Sequence, residues 1–500
     1  MEANSNGTIV KNTIILYSRL LINTLSSLFA TRFALKALGV SDFGLFSVIA
    51  CIISFIAVLN TIMISTSNRF IATAIGIGDG KEINRQFNIN LAVHVAIAVF
   101  TLILALPIGD WYILNYINFD GDIDIARKIY YFSVIGSVIS FVGVPYNGLL
   151  VAKENFLVFC LTDAISHILK AVIAFVLIYF FENKLIIYGA ALAFFSAYPT
   201  FVYMAYCKKT YPDIVSFRLV KGWDNYSPVV KFSAWVGFGA IASIGKNQGA
   251  ALLVNLFFNT VMNTALSVAN TVNGMVTLFT ENVTKPIAPQ ITKSFAAGDY
   301  ERSYHLLDLS TKFSYYTMLV VATPFLLCTN WILKLWLGEV PDYAVMFTIL
   351  IVIDAIITSL YTSISNIIFA SGKIVGYQLV VNLLRFMAII AAYFVLKSGF
   401  PAYSLLYSYI AFSILIVISV LVVLKKTLDC DVARFVKNAY FPGFAVTILF
   451  LPMFLLIGKV HPFLLLMLSE TYLMLSILFI GLTKNERLYF KNMFCKLIRK

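Results

Sequence analysis

Charge is scarce in this 500-residue chain: charged side chains make up 12% of it, about half the share of a soluble domain. Set against 60% hydrophobic residues and a mean hydropathy of +0.88, that shortage excludes a water-soluble globular protein. Long polar stretches are missing too, so no sizeable domain can fold outside a bilayer. The six cysteines (Cys51, Cys160, Cys207, Cys328, Cys430 and Cys495) fall in apolar runs or in segments assigned to the cytoplasm, which excludes an extracytoplasmic disulfide framework. The four histidines, His94, His167, His305 and His461, lie in separate segments, so metal-ligand spacing is lacking. A net charge of +13 would suit nucleic acid, but no basic stretch can fold in water, and no nucleic-acid partner is expected.

What the chain does have is apolar runs of about 20 residues from end to end, the length that crosses a hydrocarbon core as helix. Backbone polar groups in lipid must be satisfied within the segment. The expected fold is therefore an all-α polytopic membrane protein with about 14 transmembrane helices. They are placed at 12–35, 43–66, 88–108, 128–151, 156–180, 185–207, 232–257, 262–284, 311–330, 344–370, 374–396, 402–424, 440–458 and 463–482. The polar start MEANSNGTIVKN leads into a first run without a small-residue cleavage site, and that run is kept as a helix. Lysine and arginine gather on alternate loops, whereas the loop with Asp110, Asp120, Asp122 and Asp124 is acidic. This bias places both termini in the cytoplasm.

The chain also repeats itself. Lys11 and Lys231, Asp79 and Asp299, and Lys153 and Lys373 each stand 220 residues apart, and Trp111 and Trp331 fit the same shift. Six helices therefore occur twice, and an even number keeps both copies in one orientation, as parallel repeats. The expected organisation is an N-terminal six-helix lobe (1–207), a basic cytoplasmic linker (208–230), a second six-helix lobe (231–426), and two appended helices with a basic tail (427–500). The two lobes are expected to face each other across a central cavity.

Ionisable groups inside apolar spans are costly and are functional candidates by default. Asn12, Arg19, Asn23 and Ser26 share one face of the first span, whereas Arg32 lies on the other side near the outer end, where it can snorkel. Shifting by 220 carries Ser26 onto Lys246, so Arg19 and Asn23 are expected to line the cavity with Lys246 and its neighbours Asn247 and Gln248. Arg385 extends a stripe with Gln378 and Asn382, although its repeat counterpart is Ile165. Asp163, His167 and Lys170 stack at i, i+4 and i+7. They form either a self-neutralising row or a titratable relay. Glu281 and Asp354 are further acids for ion coupling or for pairing with the cavity cations, and Glu470 reads as structural. The loops from Arg69 to Arg85 and from Lys285 to Arg302 occupy matching repeat positions and are expected to form equivalent cytoplasmic gates.

Enzyme motifs fail on context. The run from Gly239 to Asn247 resembles a phosphate loop but is one residue too long and lacks the Ser/Thr that holds magnesium. Asp122-Ile-Asp124 and Asp429-Cys-Asp431 belong to no domain able to hold a sugar nucleotide. No enzyme activity, metal or cofactor is expected.

LGVSDFGLFSVI (38–49), SNRF (67–70), Lys246-Asn247-Gln248-Gly249, PQITKSFAAGDYER (289–302) and ILKLWLGEVPDY (332–343) resemble, in that order and spacing, Wzx-type O-antigen and polysaccharide flippases. These belong to the multidrug/oligosaccharidyl-lipid/polysaccharide exporter superfamily. The resemblance implies a bacterial inner-membrane transporter that moves undecaprenyl-pyrophosphate-linked oligosaccharide to the periplasmic leaflet by alternating access. It also implies a cationic cavity whose positions match Arg19 and Lys246. A polysaccharide polymerase and a chain-length regulator are further partners of such a carrier. A lipid II flippase and a multidrug or organic-cation exporter of the same superfamily stand as alternatives; the latter should have a cavity governed by carboxylates.

Overall fold

The computed structural model describes residues 2–77, 79–119, 121–153 and 155–488, without the side chains of 2–17, 55, 57, 58, 60–62, 65, 68, 69, 72, 73, 76, 77, 232, 234–247, 282, 285, 286, 289, 292, 293 and 296. Helices cover every expected span. They are α1 (Glu2–Leu38), α2 (Val40–Ile77), α3 (Gly80–Tyr116), α4 (Ile123–Ala152), α5 (Phe156–Tyr179), α6 (Lys184–Thr210), α7 (Ser227–Phe257) and α8 (Thr260–Ala296). The series continues with α9 (Tyr300–Leu327), α10 (Ala344–Ser371), α11 (Val375–Lys397), α12 (Ala402–Leu428), α13 (Val432–Leu456) and α14 (Pro462–Gly481). Among the described residues, nine helices are long and apolar enough to cross a membrane, and α9 with its continuation Thr329–Leu337, bent by 82°, makes a tenth. The protein is an all-helical polytopic membrane protein.

Several helices outrun the hydrocarbon. The 37 residues of α3 span about 55 Å at 1.5 Å per residue, against about 30 Å of bilayer core. The outer loop expected at 109–127 is correspondingly cut to 117–122, because α3 and α4 continue past the apolar run. Arg127 and Asp110 sit on these extensions and form a two-pronged ion pair of 2.6 and 3.1 Å, with the Tyr131 hydroxyl donating to Asp110 at 2.6 Å.

The repeat is visible in the elements themselves. Helices beginning at 40, 80, 123, 156 and 184 are matched by helices beginning at 260, 300, 344, 375 and 402, each within two residues of a 220-residue shift. The same acidic cap opens α3 and α9: Asp79 accepts from the backbone N–H of Lys81 at 2.9 Å, and Asp299 from that of Arg302 at 3.1 Å.

Packing divides the chain differently from the repeat, into compact units 1–264 and 265–500. Helix α7, the first of the second copy, packs along α2 inside the first unit, and the Cys51 thiol donates to the Gln248 carbonyl at 3.0 Å. At the far end of α2, Gly44 has no Cβ because one there would sit 1.8 Å from the Thr260 carbonyl oxygen, and Thr264 Oγ1 donates to the Val40 carbonyl at 2.6 Å. The linker is clamped to the same unit. The Asn84 amide donates to the carbonyls of Ile214 and Ser216, each at 2.8 Å, and Asn88 Oδ1 accepts from the Arg218 N–H at 3.0 Å.

In the second unit the appended helices share the core. Tyr315 and Tyr316 of α9 each seat a glycine: Gly443 of α13 lies on the Tyr315 ring, and the Gly481 carbonyl of α14 accepts from the Tyr316 hydroxyl at 2.8 Å. Just beyond α14, Glu486 accepts from Lys312 Nζ at 2.5 Å, with the two side chains only 16% and 4% exposed.

Candidate functional site

A cavity of about 450 Å³ opens within the first unit between α1, α2, α4, α5 and α6, with Arg19, Asn147, Phe159, Asp163, Thr200 and Tyr203 in its wall. The site arises from two interlocking helix faces. On α1, Arg19 and Asn23 are one turn apart; on α5, Phe159 and Asp163 are one turn apart, and residues at i and i+4 share a face. Because α1 and α5 pack side by side, the four side chains meet. Arg19 Nε donates to Asp163 Oδ2 at 2.6 Å, and Asn23 Nδ2 donates to the same oxygen at 2.7 Å. The guanidinium carbon lies 4.4 Å from the centroid of the Phe159 ring, within cation–π range. The Arg19 and Asp163 side chains are 30% and 23% exposed, so the pair faces the cavity without being sealed from it.

Two consequences follow for the chemistry. The described part of the cavity is formally neutral, one cation against one anion, rather than cationic. Yet the pair uses the guanidinium through Nε alone: among the described residues no hydrogen bond takes up the terminal nitrogens of Arg19. That leaves the planar fork which binds two oxygens of a phosphate.

The other candidate residues distribute as follows. His167 and Lys170 continue the α5 stripe, half-buried, but Asp163 directs its hydrogen bonds across to α1 rather than down that row. Gln248 engages α2 through its main chain. The side chains of Lys246, Asn247, Arg69 and Lys285 lie outside the described residues. In the second unit Arg385 Nη2 reaches the Tyr361 hydroxyl at 3.5 Å, Asp354 accepts from Ser413 Oγ at 2.5 Å, and Glu281 is exposed. Of the gate residues, Arg85 is exposed and pairs with Glu82 at 2.9 Å and with Asn225 of the linker, and Arg302 is exposed beside the Asp299 cap. Sequence reasoning missed Phe159 as a partner of Arg19; its position one turn before Asp163 was the available signal.

The 220-residue shift carries Phe159, Asp163, His167 and Lys170 onto Leu379, Leu383, Met387 and Ile390, all exposed apolar residues of α11. The charged cluster therefore belongs to the first copy.

No family model and no curated protein matches the sequence. The fold, in contrast, is shared with solved transporters. An inward-facing multidrug resistance MATE family transporter of the MOP superfamily is 14% identical, with a TM-score of 0.66 over 86% of this chain and 99% of that one. The lipid II flippase MurJ in an inward closed conformation is 13% identical, with a TM-score of 0.70 over 98% of this chain and all of that one. The MATE multidrug transporter DinF-BH is 15% identical, with a TM-score of 0.57 over 87% and 96% of the two chains. The chain thus shares its fold with multidrug transporters and with a lipid II flippase.

Proposed function

We propose that the protein is a flippase that moves an undecaprenyl-pyrophosphate-linked oligosaccharide, of the O-antigen or capsule repeat-unit kind, across the bacterial inner membrane by alternating access, with both termini in the cytoplasm. The observation that carries this reading is the Arg19 guanidinium, fixed at the edge of a membrane-embedded cavity with its terminal nitrogens unoccupied among the described residues. A pyrophosphate cannot cross hydrocarbon bare, and a fixed guanidinium replaces part of its hydration. Lys246, two residues before Gln248 on α7, supplies a second positive charge in this scheme. The resemblance of 38–49 and 289–302 to polysaccharide flippases and the fold shared with a lipid II flippase point the same way. A polymerase and a chain-length regulator then act on the delivered unit.

Replacing Arg19 by Gln should cut surface polymer at least about tenfold at unchanged membrane abundance, because a charge-assisted hydrogen bond contributes about 1.5–3 kcal/mol and about 1.4 kcal/mol is a factor of ten. Arg19→Glu should be worse, since it reverses the field. Normal polymer in both variants would remove the reading. Export of organic cations is favoured by one observation, the Asp163 carboxylate in the same cavity. Asp163 Oδ2 is already held by two donors, which weighs against it. Deletion that raises drug susceptibility while leaving surface polymer intact would decide for that alternative, and a requirement for growth itself would point to lipid II.

A further inference from the structure

Arg19 is held on two sides. Its guanidinium stacks over an aromatic ring, 4.4 Å from the Phe159 centroid, and is ion-paired at 2.6 Å to a carboxylate. An aromatic face and a carboxylate in a concave pocket are the two elements that recognise an organic cation. Asn23 donates its amide N–H to Asp163 Oδ2 at 2.7 Å, which fixes the carboxylate at the pocket wall. The cavity of about 450 Å³ lies in the range of small-molecule sites, about 300–1,000 Å³.

We infer that this pocket of the first unit is a binding site for a small organic cation bearing N–H donors, and that the Arg19 side chain is its resident occupant. Tethered to α1, the guanidinium fills the place such a ligand would take on Phe159 and Asp163. It thereby closes the pocket to free cations while offering its own outer edge to anions. The helix that brings the plug is α1, whereas the receptor, Phe159 with Asp163, is on α5. Removing the plug should therefore expose a working receptor. The inference concerns what the pocket binds and stands apart from the identity of the transported substrate.

The test uses the full-length protein in lipid nanodiscs with methylguanidinium, which reproduces the Arg19 head group, read by ligand-induced thermal stabilisation and by calorimetry. In Arg19→Ala, methylguanidinium should bind at least about tenfold more tightly than to the unsubstituted protein. Adding Asp163→Asn to Arg19→Ala should abolish the gain, and tetramethylammonium, which has no N–H, should bind less well than methylguanidinium. If Arg19→Ala does not survive purification alone, recovery of monodisperse protein when methylguanidinium is present throughout supports the inference. Arg19→Gln, which keeps a donor for Asp163, gives the independent readout of a purifiable variant. Equal affinity of the unsubstituted and Arg19 variants, or a gain that persists in the double variant, would overturn it.

Discussion

Lys312→Met should release the chain end from the second unit. Lys312 is 4% exposed on α9, and its ammonium meets Glu486, 16% exposed, at 2.5 Å. Removing one partner of a buried ion pair leaves the other charge uncompensated, at a cost of about 3–5 kcal/mol. The lower end applies, because Glu486 keeps a second donor: the Thr483 N–H reaches its Oε2 at 2.8 Å. About 3 kcal/mol raises the undocked population of the segment after α14 about a hundredfold. Limited trypsin digestion at Lys484 and Arg487, followed by mass spectrometry, reads that population when opening is fast relative to cleavage. Lys312→Met combined with Glu486→Leu should regain most of the loss, since an apolar pair of similar volume replaces a buried ion pair at little cost. The pH dependence has a definite sign. Burial pushes the Glu486 carboxyl up, but the hydrogen bonds from Lys312 and Thr483 outweigh burial and hold it below its usual value of 4.5. A depressed carboxylate contributes stability that is fully present above that usual value and is lost as pH falls through the folded one. Docking should therefore be constant at neutral pH and weaken below about pH 4.5. Cleavage of Lys312→Met no faster than that of the unsubstituted chain, or a double variant no better than the single one, would refute the reasoning.

Gly44→Ala should lower the thermal unfolding temperature of the purified protein, because the new Cβ overlaps the Thr260 carbonyl oxygen and overpacking costs about 1–3 kcal/mol. Asn84→Ala removes the two 2.8 Å clamps on the linker, about 1 kcal/mol each, and should speed tryptic cleavage after Arg218 and Lys221 by about tenfold or more. Burial pushes the Cys430 thiol up to about 11, so with Cys495 replaced by Ser the native protein should resist maleimide at pH 7.5 and label only on denaturation in detergent.

Helix number and helix identity could be read from the sequence because lipid leaves the backbone little choice: an apolar run of about 20 residues must satisfy its own hydrogen bonds. The repeat was legible for a related reason, since Asp79 and Asp299 have to stand where a helix needs an acidic cap. Helix ends were less legible. The extensions of α3 and α4 beyond the expected spans are held by the pairing of Arg127 with Asp110 and by the Tyr131 hydroxyl on Asp110, and hydropathy says nothing about such ties. At the site, periodicity within one helix puts Arg19 beside Asn23 on a face of α1 and Asp163 on a face of α5. It could not say that these two faces meet, because neighbouring helices are chosen by packing between segments about 140 residues apart in sequence. The acid that pairs with Arg19 of the first span lies on the fifth, where periodicity within either helix does not point to it. The linker clamp by Asn84 and Asn88 was hidden for the same reason: an asparagine in an apolar helix announces a hydrogen bond but not its partner.

The presence of the Arg19–Asp163 pair in one copy of the repeat alone has a physical rationale. A charged pair in both halves would place two desolvated sites in the membrane, each carrying the penalty of burying ions. Confining Arg19, Asn23, Phe159 and Asp163 to the first unit, with Leu379 and Leu383 at the matching positions of the second, avoids a second copy of this pair's penalty. The same economy explains why Arg19 and Asp163 are paired. An isolated guanidinium in the first unit would favour any conformation that hydrates it. A cation neutralised by its own neighbour exerts no such pull, and among the described residues its two terminal nitrogens take no hydrogen bond. Substituting Asp163 by Leu should then do more than weaken the fold: it should shift the resting protein toward whichever conformation admits water to Arg19, and cysteine-accessibility labelling along α1 would register that shift without any substrate present.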